Sequence, residues 1–210
     1  MKEYRIETEI IPPLLAWYDE AKRILPWRGT KDPYNIWGSE IKLQQTRVEA
    51  VKPYYDRVLQ ALPTVRDLAG AEESYLLKLW EGLGYYNRVR NMQKAAQILV
   101  ERYGGEMPAD AKEILALPGI GSYTMGAIAS IAFQIPLPAV DGNVLRILTR
   151  LYGDDSDILD PRFKKKTEEA LVRIMPKDRP GDVNQAMMEL GATVCLPNGM
   201  PKCESCPWQD

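Results

Sequence analysis

Histidine is absent from this 210-residue chain. Its absence removes the side chain that ordinarily moves protons near neutral pH. Acid–base chemistry must then run on a carboxyl group with a shifted pKa, a tyrosine, a lysine or a cysteine. Long apolar runs are missing too, and no stretch approaches the length of a membrane span. The opening MKEYRIETEIIPPLLAWYDE lacks the basic-then-apolar layout of a secretory signal, so an intracellular protein with no membrane attachment is expected. Nor is there a surplus of positive charge: 27 Lys and Arg against 29 Asp and Glu give a net charge of −2. Such a balance does not advertise a nucleic-acid binder, although a basic patch can be local while the total stays near zero. Two stretches qualify, YYNRVRNMQK at 85–94 and RFKKK at 162–166, and each also reads as a solvated helix face.

What is present is ordinary for a globular protein, with 45% apolar and 27% charged residues. The length suits one large domain or two small ones with a real core. Apolar residues recur at helical spacing nearly throughout, as in Ile10, Leu14, Leu15, Trp17, Tyr18 and Ala21, and again in Leu76, Leu77, Leu79 and Trp80. Further helices are expected over 33–44, 47–61, 87–103, 110–116, 122–133, 142–152, 161–175 and 182–192. Asp32-Pro33, Pro63-Thr64 and Asp160-Pro161 mark starts, and Gly82, Gly104-Gly105 and Gly153 mark stops. The expected class is all-α, for which a helical-repeat scaffold is the bland alternative.

Three features carry chemistry. The string LPGIGSYT at 117–124 sits between two helical patterns, with Gly119 and Gly121 allowing a tight turn at the start of the next helix. Backbone N–H groups there, backed by the helix dipole, suit a phosphate oxygen and would grip a DNA backbone without reading its sequence. The second feature is a pair of acids. Asp141 in VDGNV stands at the mouth of a helix, where it also reads as a simple cap. Glu40 lies among apolar and amide side chains in WGSEIKLQQT, where desolvation would raise its pKa, though a surface glutamate has the same local pattern. Two carboxyls with separated pKa values are what cleavage of a glycosidic bond needs. Third, the three cysteines, Cys195, Cys203 and Cys206, cluster in a way that suggests a metal centre rather than disulfides.

In order along the chain, LPWRGTKDPYNIWGSEIKLQQTRVEAV, WEGLGYYNRVRN, LPGIGSYTMGAI, VDGNVLRIL, NQAMMELGATVC and the closing cysteines resemble the MutY family of adenine glycosylases, within the helix-hairpin-helix superfamily. The resemblance implies a six-helix module over residues 27–133 and a second module, 1–26 with 134–210, that carries a [4Fe–4S] cluster, with DNA and a flipped base between them. It implies hydrolysis of the N-glycosidic bond of adenine mispaired with 8-oxoguanine or guanine, by a monomer acting on duplex DNA. Glu40 would protonate adenine N7, Asp141 would stay ionised and stabilise an oxocarbenium-like sugar, Tyr123 would support it, and Asn143 would order the catalytic groups. Trp27, Arg28, Leu43 and Gln185 resemble the adenine-pocket residues, and Gln45 and Tyr85 the residues that wedge into the duplex, offsetting the cost of flipping. In related endonuclease III-type enzymes the position of Tyr123 is a lysine that forms a Schiff base. A tyrosine cannot do so, and a monofunctional glycosylase is expected.

The sequence also departs from the family. Its cysteines are spaced C-x7-C-x2-C, against the family's C-x6-C-x2-C-x5-C. The fourth cysteine would fall at 212, past residue 210, so a labile or absent cluster is expected. Nothing of the family's 8-oxoguanine-reading C-terminal domain is present, so lesion discrimination is expected to weaken. Gly38 and Lys42 replace apolar residues beside Glu40. Lys42 points to another helix face unless its stem curls back, in which case its ammonium group would lower the acid's pKa and hurt catalysis. The competing readings are the same fold acting on another mismatched base such as thymine, a glycosylase/lyase, a disabled DNA-binding form, and a protein-interaction scaffold.

Overall fold

Aspartate and proline start helices in this chain as the sequence leads one to expect. In the computed structural model, which describes residues 9–209, Asp32 accepts from Asn35 N at 2.9 Å ahead of Pro33, and Asp160 from Arg162 N at 2.8 Å ahead of Pro161. These caps satisfy amide donors that the first helical turn leaves unpaired, and proline at N1 has no N–H to lose. The elements are α1 (Ile11–Ala21), α2 (Pro33–Leu43), α3 (Val48–Ala61), α4 (Val65–Gly70), α5 (Glu73–Trp80), α6 (Asn87–Tyr103), α7 (Ala111–Leu115), α8 (Ser122–Phe133), α9 (Gly142–Tyr152), α10 (Pro161–Val172) and α11 (Pro180–Thr193), with a 3-10 turn at Cys203–Ser205. No strand occurs among the described residues, and no helix there is long and apolar enough to cross a membrane. The expected stops at Gly104 and Gly153 are left-handed C-caps, with φ of 65° and 60°.

The boundaries differ from expectation at a few points. α10 ends at Val172 rather than 175, and α11 begins at Pro180 rather than 182. The Pro63-Thr64 start opens the six-residue α4, a helix too short for apolar periodicity to reveal. Thr64 and Asp67 cap each other's backbone there reciprocally.

The chain divides into two compact units, Ile24–Phe133 and the pair of segments Met1–Arg23 and Gln134–Asp210. Ile24–Phe133 holds α2 to α8, one more helix than a six-helix module. Its centre is α2, buried at Tyr34, Ile36, Trp37, Gly38, Ser39, Glu40, Ile41 and Lys42 and packed by α3, α6 and α8.

Lys42 is the anomaly in that core. Its side chain is 0% exposed, its Nζ donates to Gly38 O at 3.2 Å, and the rings of Tyr55 and Trp80 lie 5.6 and 5.8 Å away. The stem therefore runs up its own helix into the apolar core, away from the face that carries Glu40. The two departures at 38 and 42 belong together: a Cβ on Gly38 would sit 3.3 Å from Lys42 Nζ, so the glycine leaves the space the amine occupies. The void beside them, about 10 Å³, is too small for a hydration shell. Desolvation accordingly pulls the amine down to about 7.

The second unit is built on α1, α9 and α11. Leu14, Tyr18, Val140, Val144, Leu148, Ala186, Met187 and Leu190 form its apolar core. Glu189, 1% exposed, lies in this unit and is neutralised by Arg23, whose Nε and Nη2 donate to its two carboxylate oxygens at 2.7 and 2.9 Å. A fork-on-fork pair of this kind fixes the segment after α1 against α11. Asn184 does the same for the extended stretch before α9, accepting from Ala139 N at 2.9 Å and donating to Leu137 O at 2.8 Å.

Replacing Lys42 by Met should stabilise the protein, because it removes a group whose charging is penalised only in the fold. Below about 7 the amine is protonated both folded and unfolded, and the full penalty applies. Between there and 10.5 the unfolded chain holds more protons, so the parent's stability rises with pH. Denaturant melts should give Lys42→Met an advantage on the order of 4 kcal/mol at pH 7 that shrinks toward pH 10. An advantage independent of pH would contradict this account.

Candidate active site

Helix α8 begins with the string SYTMGAIAS, whose small residues Gly126, Ala127, Ala129 and Ser130 are buried and let α2 approach closely. This packing brings together two residues 83 positions apart: Tyr123 OH donates to Glu40 Oε2 at 2.8 Å. Glu40 is 5% exposed, so the phenol holds a carboxyl that has almost no water to turn toward. One turn away, Gln44 Nε2 reaches Thr124 Oγ1 at 3.4 Å, a second polar tie between the same helices.

The turn before α8 is tight for a steric reason. Gly119 has φ +78°, and a Cβ there would lie 2.8 Å from Asn91 Cβ on α6. Gly121 is different: it is exposed, and nothing lies within 4 Å of where its Cβ would be. Packing inside the protein does not require a glycine at 121, whereas close approach of an outside group to this backbone would.

In the other unit, Asp141 caps α9. Its Oδ1 accepts from Asn143 N and Val144 N, both at 2.9 Å, and its Oδ2 from Asn143 Nδ2 at 2.6 Å. The capping role is real, and it also locks the carboxylate in one orientation. Asn143 is held in turn: Arg146 Nη2 donates to Asn143 Oδ1 and to Gly191 O, each at 2.9 Å, while Arg146 Nε donates to Cys195 O at 3.1 Å. Gly191 permits this, since a Cβ there would come within 2.6 Å of Asn143 Cβ. Sequence reasoning passed over Arg146 and Gly191, because their roles depend on α9 and α11 lying side by side.

The remaining candidates are placed as follows. Trp27 is 9% exposed with its ring edge-on to Tyr55, centroids 5.4 Å apart. Arg28 is half-buried in a turn closed by its own N–H to Leu25 O at 3.0 Å. Leu43 ends α2, half-buried, and Gln185 is half-buried on α11 with Nε2 3.3 Å from Gly181 O. Gln45 and Tyr85 are both exposed and both take left-handed backbone, at φ 54° and 47°. For side chains with a Cβ that conformation is costly and marks a constrained position.

Cys195, Cys203 and Cys206 line one cleft of about 320 Å³ with Ile147, Leu151, Leu190 and Trp208. Arg150 Nη1 donates to Cys195 Sγ at 3.4 Å, and burial pushes the Cys206 thiol up, with the charges of Cys195 and Cys203 adding to the shift. Among the described residues no three His, Cys, Asp or Glu side chains converge as ligands of one metal ion. The three sulfurs share one largely apolar cleft, and a [4Fe–4S] cluster takes four such ligands.

Residues 39–177 match the family described as HhH-GPD superfamily base excision DNA repair protein. The chain belongs to that superfamily. It is 45% identical over 205 residues to a protein named adenine DNA glycosylase from Mus musculus, covering 93% of this chain and 40% of the mouse protein. This chain thus spans well under half of that relative's length. Among solved structures, a thermostable thymine-DNA glycosylase superposes with a TM-score of 0.84 at 32% identity, covering 92% of this chain and 89% of that one. An endonuclease III in a trapped covalent complex with DNA superposes with a TM-score of 0.77 at 28% identity, covering 93% and 88%. The all-helical class expected from the sequence is therefore that of a helix-hairpin-helix glycosylase.

Within this HhH-GPD chain the Gly191–Asn143–Asp141 stack can be tested directly. Gly191→Ala should push Asn143 off Asp141 and lower the melting temperature, since overpacking a tight contact costs about 1–3 kcal/mol. An unchanged melting temperature would show that the contact between Gly191 and Asn143 is not tight.

Proposed function

We propose that this protein is a monofunctional adenine DNA glycosylase that removes adenine mispaired with 8-oxoguanine or guanine, acting as a monomer on duplex DNA. The observation that carries the reading is the buried Glu40 held by the phenol of Tyr123 at 2.8 Å. The identity to the mouse adenine glycosylase supports the choice of base.

In this reading the exposed Gly121 and the start of α8 take a backbone phosphate. Gln45 and Tyr85 enter the duplex and replace the stacking lost by the flipped adenine, while Trp27, Arg28 and Leu43 contact the base on one side and Gln185 is a further base contact. Glu40 gives its proton to adenine N7. The bond between the base and sugar C1′ then breaks, its electron pair leaving on the neutral base. Asp141, oriented by Asn143, answers the positive charge that develops on the sugar. Water adds its oxygen to C1′, its proton returns to the carboxyl, and an abasic site remains. Strand cleavage through a Schiff base needs an amine at this centre. Position 123 offers a phenol, and the amine of Lys42 is buried against Gly38 O.

Cys195, Cys203 and Cys206 would supply three of the four ligands of a [4Fe–4S] cluster, labile for want of the fourth, which would anchor the 195–206 loop. Iron and acid-labile sulfide in the purified protein, both lost on Cys203→Ser, are the expected result. Zinc without sulfide would overturn this assignment.

The main test is single-turnover base release from a duplex carrying 8-oxoguanine opposite adenine. The parent should release adenine, Glu40→Gln should fall by ~1,000-fold or more, and borohydride should trap no covalent complex. Release of thymine from a guanine·thymine mispair, without adenine release, would favour the second reading, which the thymine-DNA glycosylase likeness motivates.

A further inference from the structure

Arg88 stands in the first turn of α6, half-buried, and uses both terminal nitrogens on the backbones of two separate segments. Its Nη1 donates to the carbonyls of Ile41 at 3.0 Å, Lys42 at 3.1 Å and Gln44. Its Nη2 donates to Leu83 O at 2.9 Å, Gly84 O at 3.2 Å and Thr46 Oγ1 at 3.3 Å. The first set closes the carbonyl end of α2, where the helix dipole favours a cation. In the second set Leu83 and Gly84 belong to the turn that leads into α6, and Thr46 to the segment after α2. The rings of Trp80 and Tyr85 each lie 5.5 Å from the guanidinium carbon.

The two segments have something else in common. Each presents one exposed residue with a left-handed backbone, Gln45 at φ 54° and Tyr85 at φ 47°. Among the described residues Gln134 is the only other non-glycine with positive φ. Such backbone persists only where its surroundings over-determine it. Here the carbonyl of Gln44, just before Gln45, and that of Gly84, just before Tyr85, are both acceptors of Arg88. One planar fork therefore fixes both peptide units. A lysine, with its donors on a single point, could not span them.

We propose that Arg88 is a positioning residue that holds Gln45 and Tyr85 as one rigid wedge for entry into the duplex beside the target base. The proposal rests on the wedge reading given above, and extends it from two side chains to the group that presets their backbones. Rigidity matters because a wedge that must be ordered at the moment of entry loses part of the stacking it gains.

The test measures single-turnover adenine release for Arg88→Lys and Tyr85→Ala on two duplexes. One is fully paired around an 8-oxoguanine·adenine mispair, and the other has non-complementary neighbours on both sides, so its helix is already open. Both variants should lose ~10-fold or more on the paired duplex and less than ~3-fold on the open one, because only the paired duplex charges for flipping. Equal loss on both duplexes by Arg88→Lys, or no loss, overturns the proposal while Tyr85→Ala retains the duplex dependence. If Tyr85→Ala itself shows no such dependence, the wedge reading falls and the proposal with it. Should Arg88→Lys not fold, hydrogen exchange on the unaltered protein decides. Amides at 44–46 and 83–86 should open together with matched protection, and independent opening overturns the shared clamp.

Discussion

A helix buried along most of its length must find a partner for each polar group it carries there, because an unpaired group in the interior costs about as much as a lost hydrogen bond or more. Helix α2 is under that constraint, and much of the unit around it follows from how the constraint is met. Ser39 Oγ bonds back to Ile36 O at 2.8 Å. Lys42 turns its amine to Gly38 O, and the carbonyls at the end of the helix are taken by Arg88. Glu40, the one carboxyl on the buried stretch, meets Tyr123 from α8. Trp37 Nε1 is the exception, buried without an acceptor. The proposed acid is thus positioned by the same requirement that positions its bland neighbours, and α8 must pack closely on α2 for the phenol to reach it.

The other unit handles its carboxylate differently. Asp141 is placed by a cap, a local device that any helix start can use, and gains specificity from what stands behind it. Asn143, Arg146 and the carbonyls of Gly191 and Cys195 form a continuous chain from the cap to the cysteine loop. A structural helix cap and an oriented carboxylate are one arrangement here, so the choice between them posed by the sequence was not a real choice. The same chain gives the cysteine loop a mechanical connection to Asp141.

What was legible in the sequence was local. The caps at Asp32, Asp141 and Asp160, the glycine stops at 104 and 153, and the tight turn at Gly119 act within a few residues of themselves, and each was readable. The interactions that give the site its geometry join distant positions: Tyr123 to Glu40 across 83 residues, Arg88 to Gln44 across 44, and Arg146 to Cys195 across 49. No periodicity encodes them, and only the resemblance to the MutY family pointed to some of their members. Gly38 and Lys42 illustrate the limit most clearly. Read singly, one was the loss of an apolar side chain and the other a threat to the acid. In the fold they are a pair, the missing side chain of one making room for the amine of the other.

The account stands on Glu40 and Tyr123 working as a unit, and a double-mutant cycle on single-turnover adenine release measures that coupling most directly. Tyr123→Phe should slow the parent by ~10-fold or more, yet cost almost nothing further once Glu40→Gln is in place, since the phenol acts through the carboxyl it holds. If the two losses instead multiply, Tyr123 acts independently of Glu40, and the buried hydrogen bond between them is not what prepares the acid.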